Sequence, residues 1–239
     1  MTALVITGTD TGVGKTVVTA ALASLARAAG RAVAVVKPVQ TGVGKNEAGD
    51  VDEVRRLAEI EDVHELVRLP DPLAPASAAR RVGMELPSVQ AMADRIGRLG
   101  GRDLVLVEGS GGLLVELDGA GGTLADLARE LAAPVLVVAR AGLGTLNHVA
   151  LTCAAIRHRG LECAGIVIGA WPAAPDLAAT CNLDDLEPYA RSPLLGAIPE
   201  NAGTLPPDAF LEAARRGLAP ATSRLAALRV NVVAEEAMA

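Results

Sequence analysis

Short runs of Val, Ile and Leu recur along the chain, separated by longer segments rich in Ala and Leu. The apolar runs at residues 3–7, 32–36, 103–107, 134–139, 163–168 and 194–198 read as strands. They are nearly continuous in hydrophobicity rather than alternating, so both faces of the sheet are covered, as in parallel sheets. Helices are predicted over 15–29, 51–58, 88–99, 124–131, 146–159 and 177–189. Strand and helix in alternation give repeated βαβ units, and hence an α/β fold with a doubly wound, mostly parallel sheet flanked by helices. Gly30 stands where the first helix needs a C-terminal glycine. Thr123 is a candidate N-cap, with Asp126 in the first turn behind it.

No long Pro/Ser/Gly linker interrupts this pattern, so residues 1–229 are expected to form one domain, with 230–239 as a poorly ordered tail. The chain has 239 residues, enough to bury a large core, and 51% are apolar. With one Trp, one Tyr and one Phe, that core must be filled by Ala, Val and Leu. The net charge of −6 argues against a nucleic-acid partner, for which a basic face is expected. It leaves room for a phosphate ligand, which backbone N–H groups and one or two cations can hold. Cys153, Cys163 and Cys181 show no C-x-x-C or zinc-ligand spacing, so reduced thiols are expected. No apolar run reaches the ~20 residues of a membrane span, and no export signal opens the chain. No membrane role and a cytoplasmic location are the expectations.

Candidate chemistry begins at ITGTDTGVGKT, residues 6–16, between the first strand and the first helix. Gly8, Gly12 and Gly14 let the backbone curl so that several N–H groups converge on phosphate oxygens, aided by the positive end of the helix. Lys15 is placed to reach the β- and γ-phosphates, and the Thr16 hydroxyl to bind Mg²⁺. The strict P-loop pattern has Gly at position 9, where this chain has Thr; its glycine is one residue earlier, at Gly8. An ordinary Gly-rich turn explains G-K-T at this place poorly.

Two further strand ends carry chemistry, because ligands of an open α/β sheet sit beyond the carboxyl ends of the strands. VVKPVQTG, residues 35–42, brings Lys37 and Thr41 there, although a plain surface lysine is the alternative. LVLVEGSGG, residues 104–112, ends four apolar residues with Glu108, where P-loop enzymes keep an acidic Mg²⁺ partner. Gly109, Gly111 and Gly112 read as leaving room for a ligand, or as a structural turn. AGLGTLNH, residues 141–148, starts a helix whose free N–H groups can capture a carboxylate, or which Thr145 merely caps.

Together, GTDTGVGKT, KPVQTG, VEGSGGLLVE and GLGTLNH resemble the dethiobiotin synthetases. The likeness runs from residue 3 to about 170 and returns in LGAIP, residues 195–199. It implies an ATP-dependent cyclo-ligase of biotin synthesis that joins CO₂ to 7,8-diaminopelargonate. One amine forms a carbamate, ATP phosphorylates it to a carbamic-phosphoric anhydride, and the second amine closes the cyclic urea with release of phosphate. By the resemblance, Lys15, Lys37 and Thr11 are catalytic and residues Thr11, Gly12, Val13, Gly14, Lys15, Thr16 and Val17 bind nucleotide. Thr16, Glu108 and an aspartate bind Mg²⁺; Asp50 and Asp52 are both candidates, and Asp50, three residues before Glu53 at the helix start, fits better. Substrate falls to Lys37, Thr41, Glu108 and Gly111, with Gly144, Thr145, Leu146 and Asn147 reaching the substrate tail carboxylate from the neighbouring subunit of a homodimer.

Base recognition departs from the pattern. Where many P-loop proteins of this group have an Asn after the fifth strand, GAWPAAP, residues 169–175, has no amide. A backbone-lined pocket of Gly169, Pro199, Glu200 and Ala202 is the expectation, with a relaxed nucleotide preference that extends to CTP. PDPLAPASAA, residues 70–79, resembles a loop over the substrate, with Ser77 where His is frequent. Trp171 flanks the base or covers the sheet end. His64, His148 and His158 carry no catalytic pattern. A partition-type switch ATPase and an amidating synthase of the cobyrinate type are the rivals. The first usually has an extra lysine near the start of the first loop, where Gly8-Thr9-Asp10-Thr11 stands here; the second needs a glutaminase domain.

Overall fold

The computed structural model describes residues 2–219, Leu225 and Val230, so apart from Val230 the expected tail lies outside the described residues. In chain order the strands are β1 (Thr2–Gly8), β2 (Val33–Lys37), β3 (Gln40–Thr41), β4 (Val63–Glu65), β5 (Arg68–Leu69), β6 (Leu104–Gly112), β7 (Val135–Ala139), β8 (Cys163–Trp171) and β9 (Leu194–Pro199). The helices are α1 (Lys15–Ala28), α2 (Asp50–Ala58), α3 (Pro75–Val82), α4 (Val89–Gly97), α5 (Leu124–Glu130), α6 (Thr145–His158), α7 (Leu177–Ala190) and α8 (Pro207–Gly217).

Seven strands form one sheet in the order β4-β2-β6-β1-β7-β8-β9, every pairing parallel. Val5, Val107 and Val137 face one apolar layer with Met92, Ile96 and Val149; Leu4, Ile6 and Leu106 face the other with Leu22, Leu57 and Phe210. Burial on both faces accounts for the unbroken apolar runs. β1 lies at the centre, where the chain winds outward in both directions, and such switch points place ligands beyond the strand ends. The carboxyl ends of β2, β6 and β1, adjacent in the sheet, therefore bring Lys37, Glu108 and the first loop together.

Thr123 caps α5 as expected: its hydroxyl accepts from the Asp126 N–H, and Asp126 accepts from the Thr123 N–H at 2.9 Å. α1 ends at Ala28 with Gly30 behind it at φ 73°, which suits a residue without a Cβ. β3 and β5 pair as a second, two-stranded parallel sheet. These strands, with β4, α3 and α8, lie outside the predicted pattern. The strands are two or three residues long, too short for a period-2 signal, and both helices carry Pro in the first turn, which in a sequence also marks loops.

Candidate active site

Gly14 precedes α1 in the left-handed region, φ 94°, and a Cβ there would stand 2.6 Å from the Gly169 carbonyl oxygen. Glycine is thus required twice over, by conformation and by the close approach of β8. The curl leaves Lys15 buried, with Nζ donating to the Asp10 carbonyl at 3.0 Å. Asp10 in turn accepts the Thr11 N–H at 2.7 Å and pairs with Arg140 at 2.7 Å, which ties the loop to the end of β7.

Lys37 Nζ lies 2.8 Å from Glu108 Oε1 and 2.5 Å from Asp50 Oδ2, and it also donates to the Gly109 carbonyl at 3.1 Å. The Thr16 hydroxyl donates to the same Glu108 oxygen at 2.9 Å. Lys37 and Glu108 are buried, so this is not a surface lysine. Burial works against the Lys37 charge, but Glu108 and Asp50 outweigh it and hold the ammonium above its ordinary value. Burial lowers Lys15, and the nearby charge of Lys37 lowers it further. Burial acts to raise Asp50, and Lys37 overcomes this and holds it below the usual carboxylate range.

Of the two aspartates, Asp50 faces this cluster. Asp52 accepts the Gly49 N–H at 2.9 Å and pairs with Arg55 at 2.7 Å, so it serves the start of α2. One hydroxyl and two carboxylates beside a phosphate-binding loop suit a hard cation that keeps water and phosphate oxygens as its other ligands. Among the described residues no three His, Cys, Asp or Glu side chains group as metal ligands, so a cation here depends on those other ligands.

A cleft of about 740 Å³ opens over the cluster. Thr11, Gly12, Gly14, Lys15, Thr16 and Val17 line it from the first loop; Lys37, Thr41, Asp50, Glu108 and Gly111 line it from the other strand ends. Val13 is buried beneath the loop and does not. Pro72, Leu73, Ala74 and Pro75 form a wall, which is where the segment 70–79 was expected. Ser77 sits beyond the wall and accepts from Arg80 at 3.1 Å.

Other expected site residues stand apart. Gly169, Pro199, Glu200 and Ala202 do not line the cleft. Gly169 packs on the first loop, Ala202 is buried, and Glu200 accepts the Ala173 N–H at 2.8 Å. Trp171 pairs in register with Pro199 at the sheet end. Gly144, Thr145, Leu146 and Asn147 are also absent from this cleft. Thr145 is not the N-cap of α6; Gly144 is, without a side-chain bond, and the buried Thr145 hydroxyl has no hydrogen-bond partner among the described residues. Gly109 is a packing glycine, since a Cβ there would run into Leu124, rather than room for a ligand.

Two polar lining residues carried no expected role. Gln40, buried, accepts the Asp50 N–H at 3.0 Å and so sets the entry to α2, while the Ser110 hydroxyl donates to the Val39 carbonyl. Both stand inside the motifs KPVQTG and VEGSGG, and a polar residue within an apolar strand end was the available signal.

A family model described as an AAA domain matches residues 2–208. Solved structures share the fold. The septum site-determining protein MinD complexed with Mg-ADP from Pyrococcus horikoshii has a TM-score of 0.55 at 18% identity, covering 95% of this chain and 98% of that one. A chain of the MinC:MinD cell division protein complex of Aquifex aeolicus gives 0.54 at 16%, covering 90% and 95%. Much closer in sequence is the ATP-dependent dethiobiotin synthetase BioD of Frankia casuarinae, 63% identical over 92% of this chain and 93% of that protein. The enzyme of the same name from Streptomyces coelicolor is 59% identical over the same shares. Identity at this level over nearly the whole of both chains decides the matter: the chain belongs to the dethiobiotin synthetase family.

Proposed function

We propose that this chain is an ATP-dependent ligase that converts 7,8-diaminopelargonate, CO₂ and ATP into dethiobiotin, ADP and phosphate. The observation that carries the reading is the buried Lys37, held by Glu108 and Asp50 at the strand end facing the phosphate-binding loop. Phosphoryl transfer asks the protein for alignment and positive charge rather than covalent help. Lys15 and Lys37 supply that charge at the γ-phosphoryl and the carbamate oxygen, and Thr11 and Gly12 border the transfer path. Thr41, Glu108 and Gly111 hold the diamine end. The second amine then attacks the carbonyl carbon of the anhydride, the C–O bond to phosphate breaks, and the ring closes.

Thr16, Asp50 and Glu108 would hold Mg²⁺, which when bound shields the charge of the β- and γ-phosphates. Residues Thr11–Val17 bind the phosphates. Gly169, Pro199, Glu200 and Ala202 border the base with backbone groups, and this predicts a nucleotide preference loose enough to admit CTP. ATP outcompeting CTP by more than about a hundredfold in a binding assay would end that part of the reading. Residues Gly144–Asn147 do not line the cleft of their own chain, which supports their reaching the substrate carboxylate of a second copy in a homodimer.

The test is phosphate release from ATP with Mg²⁺ and bicarbonate, with and without the diamine. Dependence on the diamine, lost in Lys37→Ala, is expected. Release indifferent to the diamine would leave a P-loop ATPase with a different substrate.

A further inference from the structure

No side chain caps the start of α6 among the described residues. Gly144, at φ 92°, is the N-cap and makes no side-chain bond, while Leu143 beside it is 93% exposed. A segment so placed would sample several shapes unless something outside it held it. α7 does so. Asn182 is buried, and its Nδ2 donates to the Ala141 carbonyl at 2.7 Å and the Gly142 carbonyl at 3.2 Å. The Gly142 carbonyl also receives the Thr145 N–H at 3.3 Å, so one amide group fixes both the exit from β7 and the first turn of α6. A polar side chain is costly inside a helix–helix contact unless its bonds are made, and this one spends both donors on the loop.

We infer that Asn182 is a positioning residue for recognition of the substrate's tail carboxylate, acting through the 141–147 turn. The inference rests on the reading above, in which Gly144–Asn147 take that carboxylate. Asn182 touches no substrate. It aims the uncapped N–H groups of α6, and an anion site made of backbone donors loses affinity when the donors are no longer converged.

The experiment compares wild type with Asn182→Ala, and with Asn182→Ser as the milder change. The substrates are the diamine acid and its neutral methyl ester, with thermal unfolding and the KM for ATP as folding controls. In Asn182→Ala the KM for the acid is expected to rise about tenfold while the KM for the ester, the KM for ATP and kcat stay within about twofold. The preference for acid over ester should fall accordingly, with Asn182→Ser in between. Equal rises for acid and ester, or no rise for either, would overturn the role of Asn182. A wild-type enzyme that does not distinguish acid from ester would instead overturn the assignment of Gly144–Asn147 to the carboxylate.

Discussion

Replacing Lys37 by Met should uncouple the two functions of this lysine, because the site stores charge as well as using it. Glu108 is buried, and its neighbours are the ammonium of Lys37 at 2.8 Å and the hydroxyl of Thr16 at 2.9 Å. At an effective dielectric of ~20, the attraction across 2.8 Å is about 6 kcal/mol, offset by the desolvation of both groups. The intact pair is therefore nearly neutral for stability, whereas removing one member leaves a buried carboxylate uncompensated, at roughly 3–5 kcal/mol. Asp50 suffers less, since its side chain is 33% exposed and water can reach it. For a chain of this length that loss lowers the Tm by roughly 10 °C.

The assay is urea unfolding without nucleotide, because a bound ligand would add stability of its own by mass action. Lys37→Met should lose about 3–5 kcal/mol and all diamine-dependent phosphate release. Lys37→Met/Glu108→Gln should recover most of the stability and none of the activity. A single variant within about 1 kcal/mol of wild type, or a double variant no more stable than the single, would refute the account of Glu108 as a buried charge that depends on Lys37.

Three other outcomes can be checked independently. Asp118 accepts the N–H groups of Val89 (2.9 Å), Ala120 (2.9 Å) and Gly122 (2.8 Å), so Asp118→Ala should cost about 2–4 kcal/mol in urea unfolding. Burial acts to raise this carboxyl, but the three donors outweigh it and hold it below its ordinary value. Its stabilisation is therefore complete above the ordinary carboxylate value and is lost as pH falls through the lowered one. The urea midpoint of wild type should fall on acidification more steeply than that of Asp118→Asn. Gly14→Ala forces a Cβ into the left-handed region and against the Gly169 carbonyl, with an expected loss of ~1–3 kcal/mol by thermal unfolding and weaker binding of a fluorescent nucleotide. Phe210, fully buried between α8 and the layer of α1, should cost about 3–5 kcal/mol on truncation to Ala, with kcat of the remaining folded enzyme unchanged.

All strands of the large sheet except β4 were legible because each is a long enough apolar run, and the helices between them are long enough to show their period. What escaped was short or opened by proline: β3, β4 and β5, and α3 and α8. The grouping of Lys15 and Thr16 with Lys37 and Glu108 was legible, since the start of α1 and the ends of β2 and β6 are gathered by the topology. Spacing before Glu53 favoured Asp50 over Asp52, and the geometry agrees: Gln40 accepts the Asp50 N–H, while Asp52 accepts that of Gly49. Spacing could not show that Cys153 and Cys163 meet, with sulfurs 3.8 Å apart, because that contact is made between α6 and β8. Asn182 was silent for the same reason: a single amide inside a helix becomes informative only when the carbonyls it serves are known.

The fold by itself does not select the ligase. The overall fold is one that solved structures such as MinD share at only 18% identity. What converts that fold into a site for a second substrate is the stretch after β2. There Lys37 turns inward, Gln40 fixes Asp50, and β3 pairs with β5 to carry the chain toward the wall of Pro72–Pro75. That wall closes one side of the cleft over Lys37 and the first loop, and in the proposed reading it would hold an acceptor other than water. A nucleotide switch has no need of such a wall, since its acceptor is water and its output is a change of shape. We propose that the residues selecting the acceptor lie between Lys37 and Pro75. Changes there should alter what is phosphorylated, whereas changes in the first loop alter whether nucleotide binds at all.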